Sequence, residues 1–238
     1  MSRRLTLFLL ALLVLPVQAD DTIPVKIGDV EIQLSRPAGM VDIPKDSVDA
    51  KAVADLTPPD CILLRTCISS DALDNTKAPD PSADIMTSRV FVIKEVQMNI
   101  DSGSFIDFVQ QQAFQVSHGI LISQDSCFDF VETQKRLDDF QKDTGVKMED
   151  TGDIYSLGVV SRSYACIAFM TANYMNSTEN GKTQRLKCIS VYSYVRLKEK
   201  VVVILTSLIK PLILHEDIRT LKHAAEKYQL DLQFLNNS

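Results

Sequence analysis

The residues able to do chemistry are few and scattered. The 238-residue chain has 3 His and 5 Cys. Ser117-His118-Gly119 sets a hydroxyl beside an imidazole, and Cys127 follows nine positions after His118. A thiol–imidazole pair from Cys127 and His118, or a serine–imidazole pair from Ser117 and His118, is the only covalent chemistry these types suggest. Sequence neighbours rarely form such a pair, because a working couple is assembled in space. There is no G-x-S-x-G elbow, no H-E-x-x-H, no C-x-x-C and no Gly-rich phosphate loop. No metal or cofactor is therefore expected, since His215 and His223 stand apart from other ligand types. The paired acids Asp138-Asp139 and Glu149-Asp150 read as solvated charge. Lys94 and Arg162 interrupt apolar strand patterns. Each is either an anion ligand in a pocket of the sheet or a long side chain reaching water past its stem, and the second is favoured. Asn176-Ser177-Thr178 has the form of a glycosylation sequon and is read as turn chemistry.

The N-terminus sets the compartment in which any of these groups would act. Arg3-Arg4, an apolar run from Leu5 to Val17, and Val17-x-Ala19 before Asp20 have the form of a signal peptide cleaved after residue 19. The run holds 13 residues, short of the roughly 20 needed to span a bilayer. Cleavage removes two of the 25 basic residues and none of the 31 acidic ones, moving the formal charge from −6 to −8. Such a balance argues against nucleic acid and anionic lipid headgroups as main partners. No second span is expected, because Val201 to Leu214 carries Thr206, Ser207, Lys210 and Pro211. The expected product is exported, periplasmic or secreted, with residues 20–238 as a single domain and a loop excursion near 71–87.

Export makes disulfides possible. Cys61 and Cys67 on one strand would lie ~20 Å apart at ~3.3 Å per residue, too far to bridge. Cys166 and Cys188 are the candidate pair, opposite each other if the hairpin joining their strands is centred on Ser177. A turn tight around Asn180-Gly181 instead places Cys166 opposite Val195. Buried free thiols are the other reading, and Cys127 is the candidate unpaired thiol of an odd set.

The elements that would position these groups follow from hydrophobic period. Val25–Ile27 and Val30–Leu34 flank Gly28-Asp29 as a hairpin. Residues 48–56 form an expected short helix, and 61–67 a strand. A strand is predicted from Arg89 to Ile100, and a helix from Ser104 to Val116 with Ser104 and Asp107 as its capping pair. A further helix is predicted over 130–142, then long strands over 154–174, 185–197 and 200–209. A terminal amphipathic helix carries Ile218, Leu221, Ala225, Tyr228, Leu232 and Leu235 inward. Consecutive strands favour antiparallel pairing, so the fold class is α+β: an antiparallel sheet with helices packed on it.

The layout resembles the Mog1/PsbP-like α/β/α sandwich of exported bacterial proteins. The likeness is carried by Leu56-Thr57-Pro58-Pro59-Asp60 before Cys61–Leu64, by Arg89–Met98 and Ser104–Phe108, and by Val195–Val203 before the terminal helix. It implies a fold and no catalytic motif. The reading reached is a non-catalytic exported protein that binds a protein or envelope component. It predicts an exposed apolar or charged patch. The alternative is an envelope hydrolase or thiol enzyme with its site assembled around His118.

Overall fold

The computed structural model describes residues 22–44, 47, 57, 61–75, 85–94, 99–117, 138, 141–142, 147–179 and 181–237. Two short strands, β1 (Ile23–Ile27) and β2 (Val30–Leu34), form a hairpin turned by Gly28-Asp29, with Gly28 at φ 60°. The other strands are β3 (Met40–Asp42), β4 (Cys61–Ser69), β5 (Ile85–Ile93), β6 (Lys147–Arg162), β7 (Cys166–Glu179), β8 (Lys182–Leu197) and β9 (Lys200–Lys210). They make one seven-stranded sheet in the order β3-β4-β5-β9-β8-β7-β6, with every neighbouring pair antiparallel. The helices are α1 (Ser70–Asn75), α2 (Ser102–Ser117) and α3 (His215–Asn237).

β9 lies at the middle of the sheet, where its unbroken run Val201–Leu205 is buried on both faces. Such a run is what a strand covered on both sides requires. Even-numbered residues such as Val202 and Ile204 join Val90, Val195, Tyr228 and Leu232 beneath α3 and the β1–β2 hairpin. Odd-numbered Val203 and Leu205 join Phe91, Phe169, Tyr194 and Phe105 on the α2 face. The molecule is thus α+β, a helix–sheet–helix stack built on an antiparallel sheet.

α3 is tied down by polar groups as well as by its apolar stripe. Asn236 exchanges two hydrogen bonds with the Gln33 backbone, at 2.7 and 2.8 Å, and Tyr228 donates to the Ser35 carbonyl at 2.8 Å. Buried Gln229 donates to Ser193 Oγ at 2.7 Å and accepts from Cys166 Sγ at 3.0 Å. Near the hairpin, Arg65 of β4 grips Asp42 of β3 through Nε at 2.7 Å and a terminal nitrogen at 2.8 Å. Its third nitrogen donates to the Leu34 carbonyl at 2.5 Å.

Three sequence expectations are corrected. The strand expected over 154–174 is two strands, because Ser163–Ala165 turns the chain: Ser163 N–H donates to the Cys166 carbonyl, and Ser163 Oγ accepts from Ala165 N–H. The strand expected to reach Ile100 ends at Ile93. The cap of α2 is Asp101, whose carboxylate accepts both the backbone N–H and the hydroxyl of Ser104, at 2.9 and 2.8 Å. Those bonds hold the Asp101 carboxyl below its ordinary range, the backbone one first. The helix expected over 48–56, most of the one over 130–142, and residues 1–19 lie outside the described residues.

Candidate functional site

The groups singled out for covalent chemistry are not brought together among the described residues. Ser117 closes α2, while His118 and Cys127 lie outside the described set. His215 and His223 are exposed on α3, and no group of three metal-ligand types converges among the described residues. Lys94 and Arg162 are both exposed, the second at the end of edge strand β6.

The proposed Cys166–Cys188 bridge is not formed. The hairpin turns tightly between Glu179 and Lys182, which lie opposite each other, with Gly181 at φ 75°. That register puts Cys166 opposite Val195 and Cys188 opposite Asn173. The two thiols are seven rows apart, about 23 Å at strand spacing, and both are buried without a disulfide. Burial pushes the Cys67 and Cys166 thiols up to about 12. A nucleophilic cysteine needs the opposite shift.

A different set of residues stands out on the α3 face, where the β7–β8 hairpin runs past the start of that helix. The last row beneath α3 pairs Leu208 with Ile189 and Ile189 with Ala172. In the next same-face row Lys187 lies opposite both Lys210 and Tyr174. Like charges directly opposite repel, and each of the two lysines has a compensating neighbour. Lys210 Nζ meets Asp217 at 3.0 Å, and Lys187 Nζ stands 5.9 Å from the centre of the Tyr174 ring. Arg185, one row further out, places its guanidinium carbon 4.2 Å over the same ring. Tyr155 of β6 meets Tyr174 edge-on, with centroids 6.5 Å apart. Tyr174 is thus flanked by two cations and a second ring, within the range of cation–π attraction.

The chain leaving β9 after Lys210 adds apolar surface. Ile213 is buried in the core and pins the loop, while Leu212 and Leu214 on either side are 67% and 56% exposed. Asp217 fixes the loop from α3 by accepting the Leu214 N–H at 2.7 Å. That backbone bond, followed by Lys210, holds its carboxyl below the ordinary range. Exposed leucines singly need no explanation. Two of them, flanking one buried isoleucine on the loop after Lys210, in whose row an arginine-covered tyrosine lies two strands away, have the composition of an interface core. The chemistry available is recognition: stacking, apolar contact and cationic hydrogen bonds, with no activated nucleophile among the described residues.

Sequence reasoning passed over these residues because strands over 154–174 and 185–197 were read only for apolar content. The signal was present in the turn. A two-residue loop at Asn180-Gly181 pairs positions that sum to 361, and Tyr174 with Lys187 is one of them.

Fold and site together define a sheet sandwiched by helices, with a basic–aromatic end on an acidic molecule. No family model matches the chain, and no curated protein matches it. Among solved structures it is similar to the crystal structure of LpqN, involved in cell envelope biogenesis of Mycobacterium tuberculosis, at 13% identity over 91% of this chain and 88% of that one, with a TM-score of 0.25. A likeness of that size carries no argument for a shared activity. No described helix is long and apolar enough to cross a membrane.

Proposed function

We propose that the protein is exported, loses residues 1–19, and works outside the cytoplasm as a non-catalytic binding or accessory protein for a protein or other envelope partner. Export is supported by the basic start, the 13-residue apolar run and the Val17-x-Ala19 boundary. The layering of α2, sheet and α3 is read as a Mog1/PsbP-like sandwich, with residues 20–238 as its single domain. The observation that carries the binding role is the surface at the open end of the α3 face. There Leu212 and Leu214 are exposed on the loop that leaves β9 after Lys210, whose row runs through Lys187 to Tyr174, which Arg185 covers at 4.2 Å. The partner that fits offers apolar side chains with carboxylates around them, and it gains the cations while burying the leucines.

The test is photocrosslinking in the native host. A photoreactive residue at Leu212 is expected to give a discrete adduct, whereas one at exposed Lys227, in the middle of α3, gives none. The crosslinked protein is expected to begin at Asp20 by intact mass. No adduct at 212, or one equally strong at 227, removes this surface as the binding site. A mass that retains residues 1–19 removes export.

A further inference from the structure

The opposite face of the sheet carries an arginine that has no counter-charge among the described residues. Arg89 on β5 lies opposite Thr66 of β4 and Leu205 of β9, and its row continues through Tyr192. Among the described residues Arg89 has no hydrogen bond and no ion pair. Desolvation draws its guanidinium below the usual arginine range. The described groups within electrostatic reach are Tyr192 and Cys188 on β8, neither of them a carboxylate. The rows on each side of it hold no Asp or Glu either. Yet Arg89 is only partly covered, so solvent reaches it.

A second observation comes from the hydroxyls around it. Thr66 Oγ1, beside Arg89 on the same face, is buried and has no hydrogen-bond partner. The next row of that face is hydroxyl on four successive strands: Thr87 opposite Ser207, Ser207 opposite Ser190, and Ser190 opposite Thr171. Ser190 and Ser207 bond each other at 2.8 Å. Tyr192 and Cys188 bracket Ser190 on β8, so a side chain within reach of both lies along this row.

We propose that Arg89 and Thr66, backed by the Ser207–Ser190 hydroxyls, form a binding site for a small oxyanion of the carboxylate or phosphate class. A guanidinium offers a planar fork that fits two oxygens of such a group. Threonine and serine hydroxyls rotate to donate to the oxygens that remain. An uncompensated, partly desolvated cation is costly to keep. Supplying its missing charge from solution explains both the cation and the unpaired threonine. The site is separate from the leucine–tyrosine surface, which lies across the sheet.

The test is thermal unfolding of the intact protein in rising inorganic phosphate or acetate, at ionic strength matched with chloride. Anything that binds only the folded state raises the midpoint in a saturable way. Saturation by either ion at millimolar concentration or below is the expected result. Response to phosphate alone assigns a phosphate site, and response to acetate alone a carboxylate site. Arg89→Met is expected to weaken binding at least tenfold while unfolding at or above the wild-type midpoint without ligand. Thr66→Val, which keeps the charge, is expected to weaken it several-fold and serves if the first variant does not fold. A shift no larger than chloride gives, or an undiminished response in folded Arg89→Met or Thr66→Val, overturns the proposal.

Discussion

Replacing Arg65 by Met should show how much of the stability runs through its buried guanidinium, which bonds Asp42 and the Leu34 carbonyl. Its side chain is 3% exposed, while its partner Asp42 is 47% exposed. The substitution leaves the Leu34 carbonyl without this donor, which costs about 1–3 kcal/mol for a buried acceptor. Breaking a buried pair costs about 3–5 kcal/mol in general. Asp42 is half in water and rehydrates once released, so the lower end applies, about 3 kcal/mol in all. In a domain of this size that is roughly 6–12 °C of melting temperature. Asp42→Ala should cost more than Arg65→Met, since it strands a cation that is 3% exposed where the other variant strands a carboxylate that is 47% exposed. The pair also sets a pH dependence. Arg65 holds the Asp42 carboxyl below its ordinary value, chiefly by hydrogen bonding. A depressed folded value means the contribution is complete above the unfolded pKa, about 4, and is lost as pH falls through the folded value. The gap between wild type and Arg65→Met should therefore narrow below about pH 4. Urea unfolding followed by circular dichroism at pH 7 and pH 3 measures both effects, provided the slope with denaturant is unchanged. A loss under about 1 kcal/mol at neutral pH, or a gap that widens in acid, refutes the reasoning.

Other consequences are simpler to state. Cys67 and Cys166, with thiols pushed up to about 12 by burial, should resist alkylation at pH 8 in the native protein and react fully in urea. Peptide mass mapping reads this out, and rapid native labelling at either position contradicts their burial. Gln229→Ala should cost about 2 kcal/mol, because it orphans Ser193 and Cys166 inside the core. Pairing it with Ser193→Ala in a double-mutant cycle should show a coupling near 1 kcal/mol, and additivity would mean that the two groups do not bond. Leu214→Ser should change stability by less than about 0.5 kcal/mol, the site being exposed, while sharply weakening the crosslink made from position 212.

Where the chain carries its own punctuation, the fold is legible from sequence. Gly28-Asp29 and Asn180-Gly181 mark two hairpins, and the stripe from Leu221 to Leu232 marks α3. The turn at Ser163–Ala165 was missed because it has neither Gly nor Pro. A serine side chain supplies the turn-forming bond there, which leaves no compositional trace. Gln229 and Asn236 were missed inside α3 because a polar residue on a buried face looks like an interruption until its partners across the chain are known. The site was less legible than the fold. Tyr174 stands 11 and 13 positions before Arg185 and Lys187 in the sequence and meets them only through register. Slipping the hairpin by one residue would move every one of them to the other face.

Arg65 and Arg89 show why composition alone could not assign roles. They sit on adjacent strands one row apart, Arg65 opposite Val90 and Arg89 opposite Thr66, and so they face opposite sides of the sheet. On the α3 side the chain provides Asp42 and the Leu34 carbonyl, and the guanidinium becomes a cross-brace between β4, β3 and the β1–β2 hairpin. On the α2 side the rows around Arg89 provide hydroxyls, rings and aliphatic side chains, and no carboxylate. A fold selected for stability alone gains nothing from a desolvated cation at that position, since an apolar residue of similar volume is neutral or better. The contrast between a satisfied arginine and an unsatisfied one, separated by the thickness of one sheet, is the physical reason for placing structure on one face and ligand chemistry on the other.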